Sequence, residues 1–145
     1  MSNPANFKYT AGLNHVGSYQ ASARPYVSTS LTAPLSGAIT TALEVTFPKV
    51  TKFVTIRNDG HDNSASCDIR LAFASGGLHT SDAGNNYITI AESASFSADF
   101  RISRLYIMSA ETGDVNATVI AGLTNIDSTH LTTSWEGLDG VSTII

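Results

Sequence analysis

The 145 residues carry a formal net charge of -4, with 14% charged and 42% hydrophobic side chains, and no run approaches the roughly 18 apolar residues that span a bilayer. That length suits one domain; the lone Cys67 excludes an intrachain disulfide and disfavours structural zinc, and the scarcity of Lys and Arg disfavours a nucleic-acid groove, which needs clustered cations. The 18 Ser and 17 Thr that stand where Lys and Glu usually do suit turns, strand faces and packed polar contacts rather than long solvent-facing helices.

In chain order, residues 1–41 scatter the apolar anchors Phe7, Tyr9, Leu13, Tyr19, Tyr26 and Leu31 without sustained periodicity, and only "VGSYQAS" and "PYVSTSL" have strand-like composition. In "ALEVTFPKV", Leu43, Val45 and Phe47 point one way and Glu44 and Thr46 the other, the alternation of a strand with one buried face. Pro48, which has no N–H to donate, ends that ladder. "TKFVTIRN" is apolar on both faces, Phe53 against Val54 and Ile56, which predicts a central strand. A turn-rich loop, residues 59–66, leads to "CDIRLAF", where Cys67, Ile69, Leu71 and Phe73 share a face.

A longer loop, "ASGGLHTSDAGNN", precedes "YITIA" and "ASFSADF", whose apolar sides hold Ile88 and Ile90, then Phe96, Ala98 and Phe100. "RISRLYIMSA" and "VNATVIAGL" follow, separated by "ETGD", a turn in which Gly113 is free to take a positive φ. The chain closes on "NIDSTHLTTSWEGLDGVSTII", a polar tail with the only Trp. Seven or more short strands and no amphipathic helix predict an all-β, single-domain β-sandwich or jelly-roll-like barrel. Its parts divide as an N-terminal arm with possible strands (1–41), a core (42–123) and a C-terminal tail (124–145).

Charge is unevenly placed: residues 1–43 hold Lys8 and Arg24 and no carboxylate, whereas from Asp82 onward eight acids face only Arg101 and Arg104. Lys49, Lys52 and Arg57 form the nearest approach to a basic patch. One echo, "TAGLNHV" and "IAGLTNI", reads either as equivalent corners at opposite ends of the fold or as coincidence.

Chemistry has little to stand on. There is no Gly-x-Ser-x-Gly elbow, Walker loop, Gly-x-Gly-x-x-Gly or His-Glu-x-x-His, so neither an enzyme nor a cofactor is expected. His61, Asp62, Asn63 and Asp68 offer Ca²⁺ ligands in principle, but Asp and Asn build such turns by bonding their own backbone. The loop at 76–86, with His79, Ser81, Asp82, Asn85 and Asn86, suits a glycan- or protein-binding tip or an ordinary hairpin loop. His15 and His130 lack Cys or carboxylate neighbours at metal-ligand spacing.

Taken together, "NFKYTAGLNHVGSYQASARPY", "FPKVTKFVTIRND", "VIAGLTNI" and "SWEGLDGV" resemble the small structural proteins of tailed bacteriophages, particularly marine and cyanobacterial phages, that decorate or cement the capsid. The resemblance implies a compact β-domain with extended ends, assembled as a dimer or trimer that clamps neighbouring shell subunits. The partners would be the major capsid protein and copies of the chain itself, with neither nucleic acid nor membrane. The protein would be made in the host cytoplasm and reside on the virion surface. Phe7, Tyr9, Leu13 and Tyr19 in the arm, with Trp135 and Ile145 in the tail, are the expected partner-binding residues, because apolar anchors on polar stems find little shelter in so small a core. The competing readings are a carbohydrate-binding β-module on a phage head or tail fibre, using the loops at 59–66 and 76–86, and a tail or neck subunit.

Overall fold

Strands form where the period-two patterning is strongest. The computed structural model describes residues 11–34, 42–61, 67–73, 78, 87–110 and 113–130. Its strands are β1 (Arg24–Ala33), β2 (Leu43–Thr46), β3 (Lys49–Gly60), β4 (Ile69–Ala72), β5 (Ile88–Ile90), β6 (Ser95–Ala98), β7 (Arg104–Ser109) and β8 (Val115–Asp127). A short helix α1 (Val16–Gln20) precedes them and a 3-10 turn, Ser128–His130, follows.

The strands make two antiparallel sheets, ordered β1-β8-β3-β6 and β2-β7-β4-β5. Apart from the β4 to β5 step, each successive strand lies in the other sheet, so the chain winds around the sandwich; this is the strand order of an eight-stranded jelly roll. The alternation read from sequence explains the layering. Val45, Leu105, Ile107, Ile69, Leu71 and Ile90 of one sheet bury against Val54, Ile56, Ala117, Val119 and Ala121 of the other. Phe47, between β2 and β3, is buried and meets the Tyr26 ring edge-on at 5.2 Å. β3 is the predicted central strand, paired on both sides by β8 and β6.

The first half of β3 departs from a regular ladder. Register shifts at Lys49/Thr51 and Thr51/Phe53 would strand backbone groups, and two buried threonines supply partners instead. Thr51 Oγ1 donates to the Phe100 carbonyl at 2.6 Å and accepts from Ile102 N at 3.0 Å. Thr124 Oγ1 donates to the Val50 carbonyl at 2.7 Å and accepts from Ile126 N at 3.2 Å. These shifts free Lys52 from the strand's face alternation, which matters for the groove described below.

Several expectations change. "PYVSTSL" is indeed a strand, β1, but "VGSYQ" is the helix α1: His15 Nδ1 accepts from Ser18 N at 3.2 Å and caps it, a role usually given to Ser, Thr, Asp or Asn. Among the described glycines the positive φ falls at Gly60 (φ 79) and not at Gly113; a side chain at Gly60 would meet Glu92 Oε1 at 2.6 Å. The two Ala-Gly-Leu segments are not equivalent corners. The later lies within β8 and the earlier precedes α1, while Leu13 and Ile126 share one cluster with Val50. β8 also runs to Asp127, past the core boundary drawn at residue 123. Finally, the long loop after β4 contributes to packing: Leu78 is buried with Ala72 and Met108 on the outer side of the second sheet.

Candidate functional site

Two features remain once the core is accounted for, a groove at one end of the sandwich and the outer face of the first sheet. The groove lies where β3 starts and β6 ends. Tyr19, Lys52, Asp99 and Arg101 line an open volume of about 410 Å³. α1 and its flanks pack there because Leu13 and Tyr19 cover Val50 and Ile126, and Tyr19 Oη donates to the Leu13 carbonyl at 2.7 Å. Two cations lock the same segment from below: Lys52 Nζ donates to the Ala21 carbonyl at 3.1 Å, and one terminal nitrogen of Arg101 lies 3.4 Å from both the Leu13 carbonyl and Asn14 Oδ1.

Antiparallel register sorts the charges between the two ends. Arg24, Lys49, Lys52 and Arg101 fall at the groove end with Asp99 and Asp127, whereas Asp59, Asp68, Glu92 and Asp114 fall at the other with Arg57. The described chain therefore has a cationic and an acidic end. Of the three cations that come nearest to a basic patch in the sequence, Lys49 pairs with Asp127 at 3.7 Å and Arg57 with Asp59 at 2.5 Å, leaving Lys52 to the groove.

On the outer face of the first sheet, register places Val27, Ile120, Thr55 and Ser97 in one row across β1, β8, β3 and β6. Val27 is 60% and Ile120 39% exposed, an apolar pair presented by two hydrogen-bonded strands. Hydroxyls bound it on one side, Thr55 Oγ1 to Ser97 Oγ at 2.8 Å, and the Thr118–Asp59–Arg57 chain closes one end, with Thr118 Oγ1 donating to Asp59 Oδ2 at 2.5 Å. The neighbouring row is filled by the Phe53 ring, which lies over Gly122.

Of the residues expected to bind partners, Phe7, Tyr9, Trp135 and Ile145 lie outside the described residues. Leu13 and Tyr19 are half-buried on the chain's own Val50 and Ile126, so their shelter is intramolecular in large part, and only their outer surfaces face away. In the loop at 59–66 the described members are Asp59, turned to Arg57 and Thr118, and Gly60 and His61; in the loop at 76–86 the described member is Leu78, which is buried. Among the described residues no group of three or more His, Cys, Asp or Glu is placed to hold a metal ion. Among them, too, no helix is long and apolar enough to cross a membrane. Cys67 is buried in the core. Sequence reading missed the groove because its four residues come from three separate stretches, and missed the Val27–Ile120 row because β1 shows no clean alternation.

Set against known protein families and curated proteins, the chain matches no family and no individual sequence.

Proposed function

We propose that this chain is a virion structural protein that decorates or cements a phage capsid, docking between shell subunits through the outer face of its first sheet. The observation that carries the reading is the Val27–Ile120 pair: two β-branched side chains, 60% and 39% exposed, aligned on a rigid strand pair where nothing else in the described chain covers them. Isolated exposed apolar residues are ordinary; an aligned pair on a hydrogen-bonded scaffold, with a hydroxyl rim, has the layout of an interface centre. Jelly rolls build both capsid and lectin domains, so the fold is compatible with the reading by analogy without singling it out.

Docking by face rather than edge follows from β1. Pro25 removes a donor near the start of that edge strand, and the bulge between Ser28 and Leu31, with Ser30 at φ 56, breaks the straight ladder that an added strand would need. The occupant is the major capsid subunit, with copies of the chain as neighbours on the lattice. The effect on the particle is mass action: a molecule that binds the assembled lattice and not loose subunits stabilises the lattice by its binding free energy, and repeated weak footholds reinforce one another through effective concentration.

The test is co-sedimentation of purified protein with capsid shells lacking it. Val27→Thr with Ile120→Thr, which keeps β-branched side chains on both strands, should leave the domain folded and sharply weaken binding; unchanged shell occupancy by the folded double variant refutes the reading. Location in electron micrographs separates shell decoration from a tail or neck ring.

A further inference from the structure

The groove at the cationic end has no part in the docking face. Lys52 and Arg101 line it, and both are held by neutral acceptors: the Ala21 carbonyl for Lys52, the Leu13 carbonyl and Asn14 Oδ1 for Arg101. Among the described residues neither has a carboxylate within the 4.0 Å of an ion pair, whereas Lys49, Arg57 and Arg104 all do. Their contacts direct each cationic head without pairing it to a described carboxylate, at an end where Arg24 adds positive charge and Lys49 is already paired with Asp127.

The other two walls narrow the ligand. Tyr19 gives its hydroxyl proton to the Leu13 carbonyl at 2.7 Å, which orients the ring and leaves the oxygen able to accept. Asp99 accepts hydrogen bonds from hydroxyl groups and repels a dense polyanion, so a nucleic-acid or polyphosphate strand is a poor match. A ligand with one carboxylate per unit, many hydroxyls and an apolar ring face meets all four. We propose that this groove binds an acidic saccharide of the uronic-acid type, its carboxylate between Lys52 and Arg101, its hydroxyls on Asp99 and its ring against Tyr19. The volume of about 410 Å³ is in the range of small-ligand sites. Because the groove and the Val27–Ile120 row are separate surfaces, either proposal stands if the other fails.

The experiment titrates the intact chain with a galacturonic acid trimer, its neutral methyl ester and sodium sulfate, followed by calorimetry and by amide chemical shifts. The trimer should bind with shifts centred on Tyr19, Lys52, Asp99 and Arg101, and its ester should bind about tenfold more weakly or worse, as loss of a charge-assisted hydrogen bond predicts. Lys52→Gln and Arg101→Gln should each weaken the trimer by a similar factor. Both side chains also hold residues 13–21, so Asp99→Ala, which disturbs neither contact, gives the independent arm: it should weaken the trimer several-fold while tightening sulfate. No binding, equal binding of trimer and ester, shifts centred elsewhere, or a tighter trimer in Asp99→Ala each overturn the proposal; sulfate as strong as the trimer reduces the groove to a bare anion cradle and overturns it likewise.

Discussion

The Asn58 side-chain nitrogen donates to the Cys67 carbonyl at 2.7 Å, tying the end of β3 to the segment that leads into β4 across the sandwich. The same nitrogen reaches the Ile90 carbonyl at 3.1 Å, and Asn58 Oδ1 accepts from Gly60 N at 2.9 Å. Asn58 is fully buried and opposes Ala117, so it occupies a core position with a polar group whose bonds are all internal. It works as a three-way joint where the chain passes from one sheet to the other.

Asn58→Leu keeps the branched shape in a somewhat larger side chain and orphans two carbonyls and one N–H. With each buried unsatisfied group costing about 1–3 kcal/mol, and some of them recovering water at the loop, a loss of about 3 kcal/mol is expected. Urea unfolding measures it. A loss below about 1 kcal/mol would show that the joint is dispensable.

Gly122 gives a second expectation. A Cβ there would overlap the Phe53 ring and sit 2.6 Å from Ala23 Cβ. Gly122→Ala should therefore destabilise by about 1–3 kcal/mol through overpacking, and Phe53→Leu in the same chain should return part of that. A double-mutant cycle with zero coupling energy contradicts the contact.

The sequence made the sheets legible where one residue type dominates a face. Ile69 and Leu71 alternate with Asp68 and Arg70, and Val45 and Phe47 with Glu44 and Thr46, and each apolar pair is buried in the core. β1 was less plain because, as an edge strand, it buries fully only Ala33 and its alternation slips at Ser30. α1 could not be foreseen from periodicity, since it is five residues long and buries none of them fully; its cap is a histidine, and what holds it is tertiary. The groove was illegible for a related reason. Lys52 reaches it through two register shifts, and those depend on hydroxyls of Thr51 and Thr124 that read in sequence as ordinary strand-face residues.

That tertiary anchoring of α1 is itself open to measurement. Leu13→Ala removes part of the cover over Val50 and Ile126 and should cost about 1–2 kcal/mol, less than a fully buried leucine. Tyr19→Phe deletes only the bond to the Leu13 carbonyl, for about 1 kcal/mol. Amide exchange tells a local from a global effect: in Tyr19→Phe the Ala21 amide, which bonds Gly17 O at 3.1 Å, should exchange faster while Val54 and Ile56 keep their protection. Uniform loss of protection would mean that α1 is part of the main cooperative unit.

The bulge in β1 makes the last prediction. Thr29 and Ser30 together span the step at which Ser28 pairs with Val119 and Leu31 with Ala117, so β1 carries one residue more than β8 over that interval. Deleting Ser30 keeps Ser28 and Leu31 opposite their present partners, preserves which side chains face inward, and removes a left-handed residue at φ 56. Stability should stay level or rise. The cost should appear in association, because a straightened edge exposes a regular row of N–H and C=O groups to a second copy. Sedimentation velocity over a concentration series is expected to show a growing dimer for the deletion and not for the parent chain, with Pro25→Val strengthening the effect by restoring a donor. A deletion variant no more self-associating than the parent would mean that the bulge does not guard this edge, and that β1 does not favour docking by face over docking by edge.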